Sequence, residues 1–98
     1  MNILENLAFT DERPSVCPIY RSDKMNYFAI GLLHDQILKK HTANVTSLLT
    51  VLKGEVEFFI NGETLHLKEF DTYEIPVQIE HEVKGVKEKN IFTIVQEK

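Results

Sequence analysis

The sequence predicts an all-β fold, a sandwich or a barrel of short strands, on three observations. Asn61-Gly62 separates two alternating runs, Glu55 to Ile60 and Glu63 to Lys68. Both residues of a two-residue hairpin turn need positive φ, which Asn and Gly tolerate best. Short apolar or alternating runs recur at near-regular intervals between turn signals, the pattern of sandwiches and barrels. No space is left for the helical crossovers of a dozen residues that parallel strands require.

Each element follows from local composition. Residues 2–9 hold Ile3, Leu4, Leu7 and Phe9, a spacing that fits one helical turn or a strand equally. Thr10 to Arg21 contains Pro14 and Pro18. Pro has no N–H to donate, so this segment reads as an edge strand or as irregular structure. Tyr27 to Leu33 is an apolar run of strand length, ended by Asp35 and Gln36. Thr46 to Leu52 is a second run, rich in β-branched residues. Lys53-Gly54 is a turn. In the hairpin that follows, Val56, Phe58 and Ile60 share one face, and so do Leu65 and Leu67. Thr72 to Ile75 is a strand stopped by Pro76. Glu80 to Lys84 puts His81 and Val83 on one face, and Ile91 to Gln96 closes the series. The expected count is six to eight main strands.

The chain has 98 residues, enough for one domain. It divides into an N-terminal arm over residues 1–25 and a barrel over 26–98. Fifteen acidic against eleven basic residues give a formal charge of −4. Only Lys39, Lys40 and His41 cluster, too few for the basic stripe of a nucleic-acid binder. No apolar run is long enough for a membrane-spanning helix, and Met1 to Thr10 lacks the pattern of a signal peptide. A single cysteine, Cys17, rules out an internal disulfide framework and fits a reducing compartment, so the expected location is the cytoplasm.

An ordered series of residues now points further: His41, then Val51-Leu52-Lys53-Gly54-Glu55-Val56, then Asn61-Gly62-Glu63, Leu67, Phe70-Asp71, Ile75-Pro76 and His81. From about Gly31 to Val95 the chain resembles a small single-domain cupin. The resemblance implies a jelly-roll barrel, also called a double-stranded β-helix, commonly homodimeric and often holding a metal in its lumen. The cupin pattern has two histidines, a glutamate and a third histidine as ligands. His41 and His81 match the first and last places. The second histidine place falls on Ala43 and the glutamate place on Ser47. Gln78 stands for a family Gly, Gly85 for an Asn, and Phe70-Asp71 where Gly-Asp is usual.

Two of four implied ligands therefore remain. A catalytic zinc keeps three protein ligands, and a site that cannot fix its geometry is a poor catalyst. His41 and His81 are the candidate metal ligands, for a divalent ion such as Zn, Fe, Mn or Ni, with no cofactor certain. Their plain alternative is as hydrogen-bonded remnants of an ancestral site. Ser47, Gln36 and Gln78 are candidate polar residues of the lumen, or else ordinary strand and turn residues. His66 alternates with Leu65 and Leu67 and is expected to face outward, as are Glu80 and Glu82 on either side of His81. The direction of His34 is open. Cys17 has no adjacent basic partner and reads as inert. No Gly-x-Ser-x-Gly elbow or phosphate-cradling glycine loop is present.

Three functional readings follow. In the first, a cupin-type barrel with a reduced or absent metal site binds a small molecule in its lumen near His41 and His81. In the second, His41, His81 and an unidentified third ligand form a metal-dependent oxygenase or isomerase. In the third, Phe28, Phe58, Phe59, Phe70, Tyr73 and Phe92 fill the lumen of a purely structural module. Leu48, Thr50 and Leu52 form an outer apolar face that a second sheet layer, the N-terminal segment or a second subunit must cover. That face argues for a homodimer.

Overall fold

The computed structural model describes residues 1–98, apart from the side chains of Lys40 and His41. A one-turn helix, α1 (Ile3–Asn6), precedes nine strands: β1 (Ser15–Arg21), β2 (Met25–Leu33), β3 (Ile37–His41), β4 (Ser47–Lys53), β5 (Glu55–Ile60), β6 (Glu63–Lys68), β7 (Thr72–Ile75), β8 (His81–Gly85) and β9 (Lys89–Glu97). Five strands form one sheet in the order β1-β2-β9-β4-β7, and four form the other in the order β3-β8-β5-β6. Every pairing is antiparallel. The sheets face each other as a barrel with a radius of gyration of 12.6 Å.

Alternation decides which side chains fill the barrel. Ser47, Leu49 and Val51 of β4 are buried while Leu48 and Leu52 are exposed. Val56, Phe58 and Ile60 of β5 and Val83 of β8 complete the opposite wall. The Asn61-Gly62 turn has φ of 52° and 75°, with Ile60 paired to Glu63, as a type I′ turn requires.

Nine strands exceed the expected six to eight. β1 lies on a sheet edge, where its one proline, Pro18, needs no N–H. A bulge between Pro18 and Tyr20 restores pairing with β2. The other strand outside the expected series is β3, whose lysines hide any apolar alternation. Residues 2–9 take the helical alternative for one turn, with the Asn2 side chain accepting from the Glu5 N–H at 3.0 Å.

The N-terminal segment lies on the outer face of the first sheet. Leu7 is buried with Cys17, Ala29 and Ile91, and Ile3, Phe9 and Ile19 pack around them. Gly31 has no side chain because the Phe9 ring occupies that space, 2.8 Å from where a Cβ would stand. The cover does not reach β4, and Leu48 and Leu52 remain exposed beyond it.

Candidate functional site

Between the sheets, at the end of the barrel where β8 begins, lies a cavity of about 40 Å³. Its walls are apolar over most of their area: Phe28 and Ile30 from β2, Leu38 from β3, Leu49 from β4, Ile75 from β7, Val83 from β8, and Phe92 and Ile94 from β9. The other described lining residues are Ala43, Ser47, Gln96 and His81, and among the described residues no Asp, Glu, Lys or Arg lines it.

Among the described residues three polar side chains meet this space. His81 is buried, and its ring stacks on Phe58 with centroids 5.3 Å apart and planes 16° apart. Its Nδ1 lies 3.1 Å from the Ile79 carbonyl. A carbonyl can only accept, so that contact places a proton on Nδ1. Ser47 is buried, and its Oγ accepts a hydrogen bond from Gln96 Nε2 at 3.0 Å. The two residues face each other in the β4–β9 register. Gln96 is held in turn by Asn26, whose Nδ2 lies 3.5 Å from Gln96 Oε1.

The residues singled out from sequence separate clearly. The β3–β8 register sets His41 opposite His81, but the His41 side chain lies outside the described residues. Ser47 lines the cavity. Gln36 does not: its Oε1 accepts from the Leu33 N–H and its Nε2 donates to the Thr10 carbonyl, both at 2.9 Å. It ties the β2–β3 turn to the N-terminal segment. Gln78 is exposed, with φ of 58°, and its backbone N–H donates to the Ala43 carbonyl. It serves the turn, not the lumen. His66 is exposed opposite Glu57. His34 sits on the surface at the far end, with Nδ1 2.7 Å from the Val86 carbonyl and Nε2 3.3 Å from Asp35. Phe28, Phe58 and Phe92 enter the barrel, whereas Phe59 lies on the other face of β5 and Phe70 is 81% exposed. Gln96 was not anticipated. Its alternation with Ile94 and Phe92 along β9 was the available signal.

A resident metal is tested by the donor set. Ala43, Ser47 and His81, three of the four places implied by the resemblance, all border the cavity. Ala43 offers no side-chain donor. Ser47 offers a neutral hydroxyl already engaged with Gln96. Among the described residues no group of three or more His, Cys, Asp or Glu side chains comes together. One described imidazole, with no carboxylate in the lining, does not fit a metal held by three protein ligands.

Larger recesses lie outside the barrel. One, of about 700 Å³, runs between Lys53, Lys68, Glu69 and Lys87, and another, of about 470 Å³, borders the Asn61-Gly62 hairpin. Their charged and polar side chains alternate on open surface. Among the described residues no helix is long and apolar enough to cross a membrane.

Two antiparallel sheets closed around a lumen, with a histidine from β8 at its mouth, define a double-stranded β-helix of cupin type. Solved structures agree. The chain superposes on a double-stranded β-helix protein from Klebsiella pneumoniae with a TM-score of 0.89, at 20% identity over 99% of this chain and 87% of that one. An RmlC-like cupin from Desulfovibrio desulfuricans gives 0.85 at 22% identity, covering 98% and 93%. KdgF from a Halomonas species gives 0.86 at 11% identity, covering 99% and 89%. No protein-family model and no curated protein matches the sequence. At these identities the likeness establishes the cupin fold, and function rests on the site.

Proposed function

We propose that this chain is a small-molecule-binding cupin-type barrel with a reduced metal site, taking its ligand in the lumen beside His81 and in reach of the His41 strand position. One observation carries the reading. Ser47, Gln96 and His81 gather on a cavity whose other walls are apolar, the usual composition of a ligand site: an apolar body with a few placed polar groups. Binding without a resident metal suits sensing or sequestration in the cytoplasm. It derives from what these residues do: Ser47 and His81 orient a polar end, and the aliphatic walls exclude water.

The protein acts as a homodimer in this reading. Tyr20, Tyr27, Val95 and Leu48 follow one another in register across β1, β2, β9 and β4, and Tyr20, Leu48 and Leu52 are exposed. A second copy would cover that row.

Thermal denaturation against a panel of small polar metabolites, beside elemental analysis, tests the proposal. The expected result is a rise in Tm with at least one compound, abolished in His81→Ala, and metal content well below one ion per chain even after incubation with divalent ions. No shift with any compound that fits the lumen would overturn it. Near-stoichiometric metal that is lost in His81→Ala would establish the metal-dependent oxygenase or isomerase instead.

A further inference from the structure

We infer that two copies of this chain stack the outer faces of their five-stranded sheets about a two-fold axis running along the strands, with Tyr20 of each copy against Glu74 of the other. The inference rests on the homodimer reading and fixes its geometry.

Register sets the pairing. Tyr20, Tyr27, Val95, Leu48 and Glu74 are successive partners across β1, β2, β9, β4 and β7. Directly paired residues share one face of a sheet. Ser47, Leu49 and Ile75 turn into the barrel, so Leu48 and Glu74 turn out. A two-fold axis along the strands exchanges the two edges of the sheet and keeps each row at its own level. The row then lies against its own reverse. Tyr20 meets the partner's Glu74, Tyr27 meets the partner's Leu48, and Val95 meets its own copy on the axis. The middle of the contact is apolar, and the acidic group at one end falls on a hydrogen-bond donor at the other.

Charge agrees with that exchange of edges. Glu74 is the one charged residue of β7, and Arg21, directly after Tyr20, is the one charged residue of β1. The joined edges therefore carry opposite sign, the arrangement that fixes register between two surfaces. Among the described residues neither Glu74 nor Arg21 forms an ion pair within its own chain. Tyr20 is 56% exposed. Tyrosine suits such a place, because its ring buries apolar area while its hydroxyl reaches a polar partner.

Shape selects the axis. The N-terminal segment raises half of the face, with Leu7 over Cys17, Ala29 and Ile91 and the Phe9 ring over Gly31. Thr50 and Thr72 stand in register with Ala29 and Thr93, yet Thr72 and the nearby Leu52 are exposed. Exchanging the edges sets the raised half of each copy on the bare half of the other. An axis across the strands would set raised half on raised half and hold the bare halves apart. The self-complementary face of a two-fold dimer is the first arrangement, not the second.

Sedimentation equilibrium of the full wild-type chain gives the oligomeric state. Isotope-filtered NOEs in an equal mixture of labelled and unlabelled chain give the pairing. The expected result is a dimer, with NOEs between copies from the Tyr27 ring to the Leu48 methyls. Leu48→Glu should raise the dimer Kd about tenfold or more, while Ile37→Glu on the other sheet leaves it unchanged. Tyr20→Phe and Glu74→Ala should each raise it about threefold, and the double variant no further than either alone. NOEs that join β4 to β4, an unchanged Kd in Leu48→Glu, or effects of Tyr20→Phe and Glu74→Ala that multiply would each overturn the axis and leave the homodimer reading standing. A monomer at every concentration would overturn both. The wild-type NOEs decide the question even if a variant does not fold.

Discussion

The two ends of the barrel handle buried polar groups in opposite ways. Asn90 and Gln96 both point inward from β9, six residues apart, or about 20 Å at the rise of an extended strand. Asn90 is fully buried with every hydrogen bond internal. Its Oδ1 accepts from the Glu55 and Lys87 N–H groups at 3.0 Å, and its Nδ2 donates to the Leu32 and Lys87 carbonyls at 3.1 and 2.9 Å. One side chain thus ties β2, β5 and the β8–β9 turn together. At the other end, Ser47 and Gln96 satisfy one another only in part and border an empty volume. A completed network specifies structure, whereas an incomplete one leaves donors for something else. The closed end holds the barrel in shape, and the other end is where the proposed ligand would bind.

The largest expected effect breaks the closed end. Asn90→Ala orphans two half-buried N–H groups and two carbonyls, that of Leu32 buried, at once. Each unsatisfied buried group costs roughly 1–3 kcal/mol, so a loss of about 3 kcal/mol or more is expected. Urea denaturation measures it. A loss under about 1 kcal/mol would mean that water enters and replaces the side chain.

Gly54→Ala strikes the same end from the other side of the contact. Gly54 has φ of 74°, and a Cβ there would collide with Asn90 Oδ1 and the Lys89 carbonyl. Left-handed strain adds about 1 kcal/mol or more to the clash. A destabilisation of about 2 kcal/mol is expected, within the range of backbone-strain mutants. A double mutant with Asn90→Ala should cost less than the sum, because removing the amide opens the space a Cβ needs.

Ser47→Ala sharpens the contrast. It removes one hydrogen bond from a half-buried amide that water can reach, so stability should fall by only about 0.5–1 kcal/mol, while the lumen loses its uncommitted donor. Asn90→Ala and Ser47→Ala compared by the same urea titration test the division directly. Equal losses would erase the distinction between the ends.

Legibility in the sequence follows the same division. Alternation placed Phe58, Leu49, Val83 and His81 inside the barrel, because a period of two leaves no choice once one face is apolar. The Asn61-Gly62 turn was legible for its φ requirement. The closed end was silent: Asn90 sits between charged and apolar residues with no pattern to mark it, and two of its three partner residues, Leu32 and Glu55, are distant in sequence. Gln36 and Gln78 were read into the lumen from their closeness to motif positions. Their roles depend on where the β2–β3 turn and the segment before β8 fold back, which no local pattern encodes. The emptiness of the lumen was equally hidden, since packing volume depends on all nine strands together.

Phe70 gives the smallest effect and a check on the outer surface. It occupies the turn between β6 and β7 with φ of 73°, and its N–H donates to the Val51 carbonyl at 2.8 Å. A side chain in the left-handed region costs roughly 1–2 kcal/mol, which glycine avoids. Glycine gives back part of that, roughly 0.5–1 kcal/mol, through the freedom of its unfolded chain. With 81% of the residue exposed, no buried area in this chain is lost. Phe70→Gly should therefore stabilise the monomer by about 0.5 kcal/mol, a rise in Tm of about 2–4 °C. Melting at two protein concentrations separates the possibilities. A rise independent of concentration means the ring contacts nothing the protein needs. A fall that deepens as the wild type gains stability with concentration means the ring packs in the dimer, at the margin of the face that carries Leu52 and Leu48.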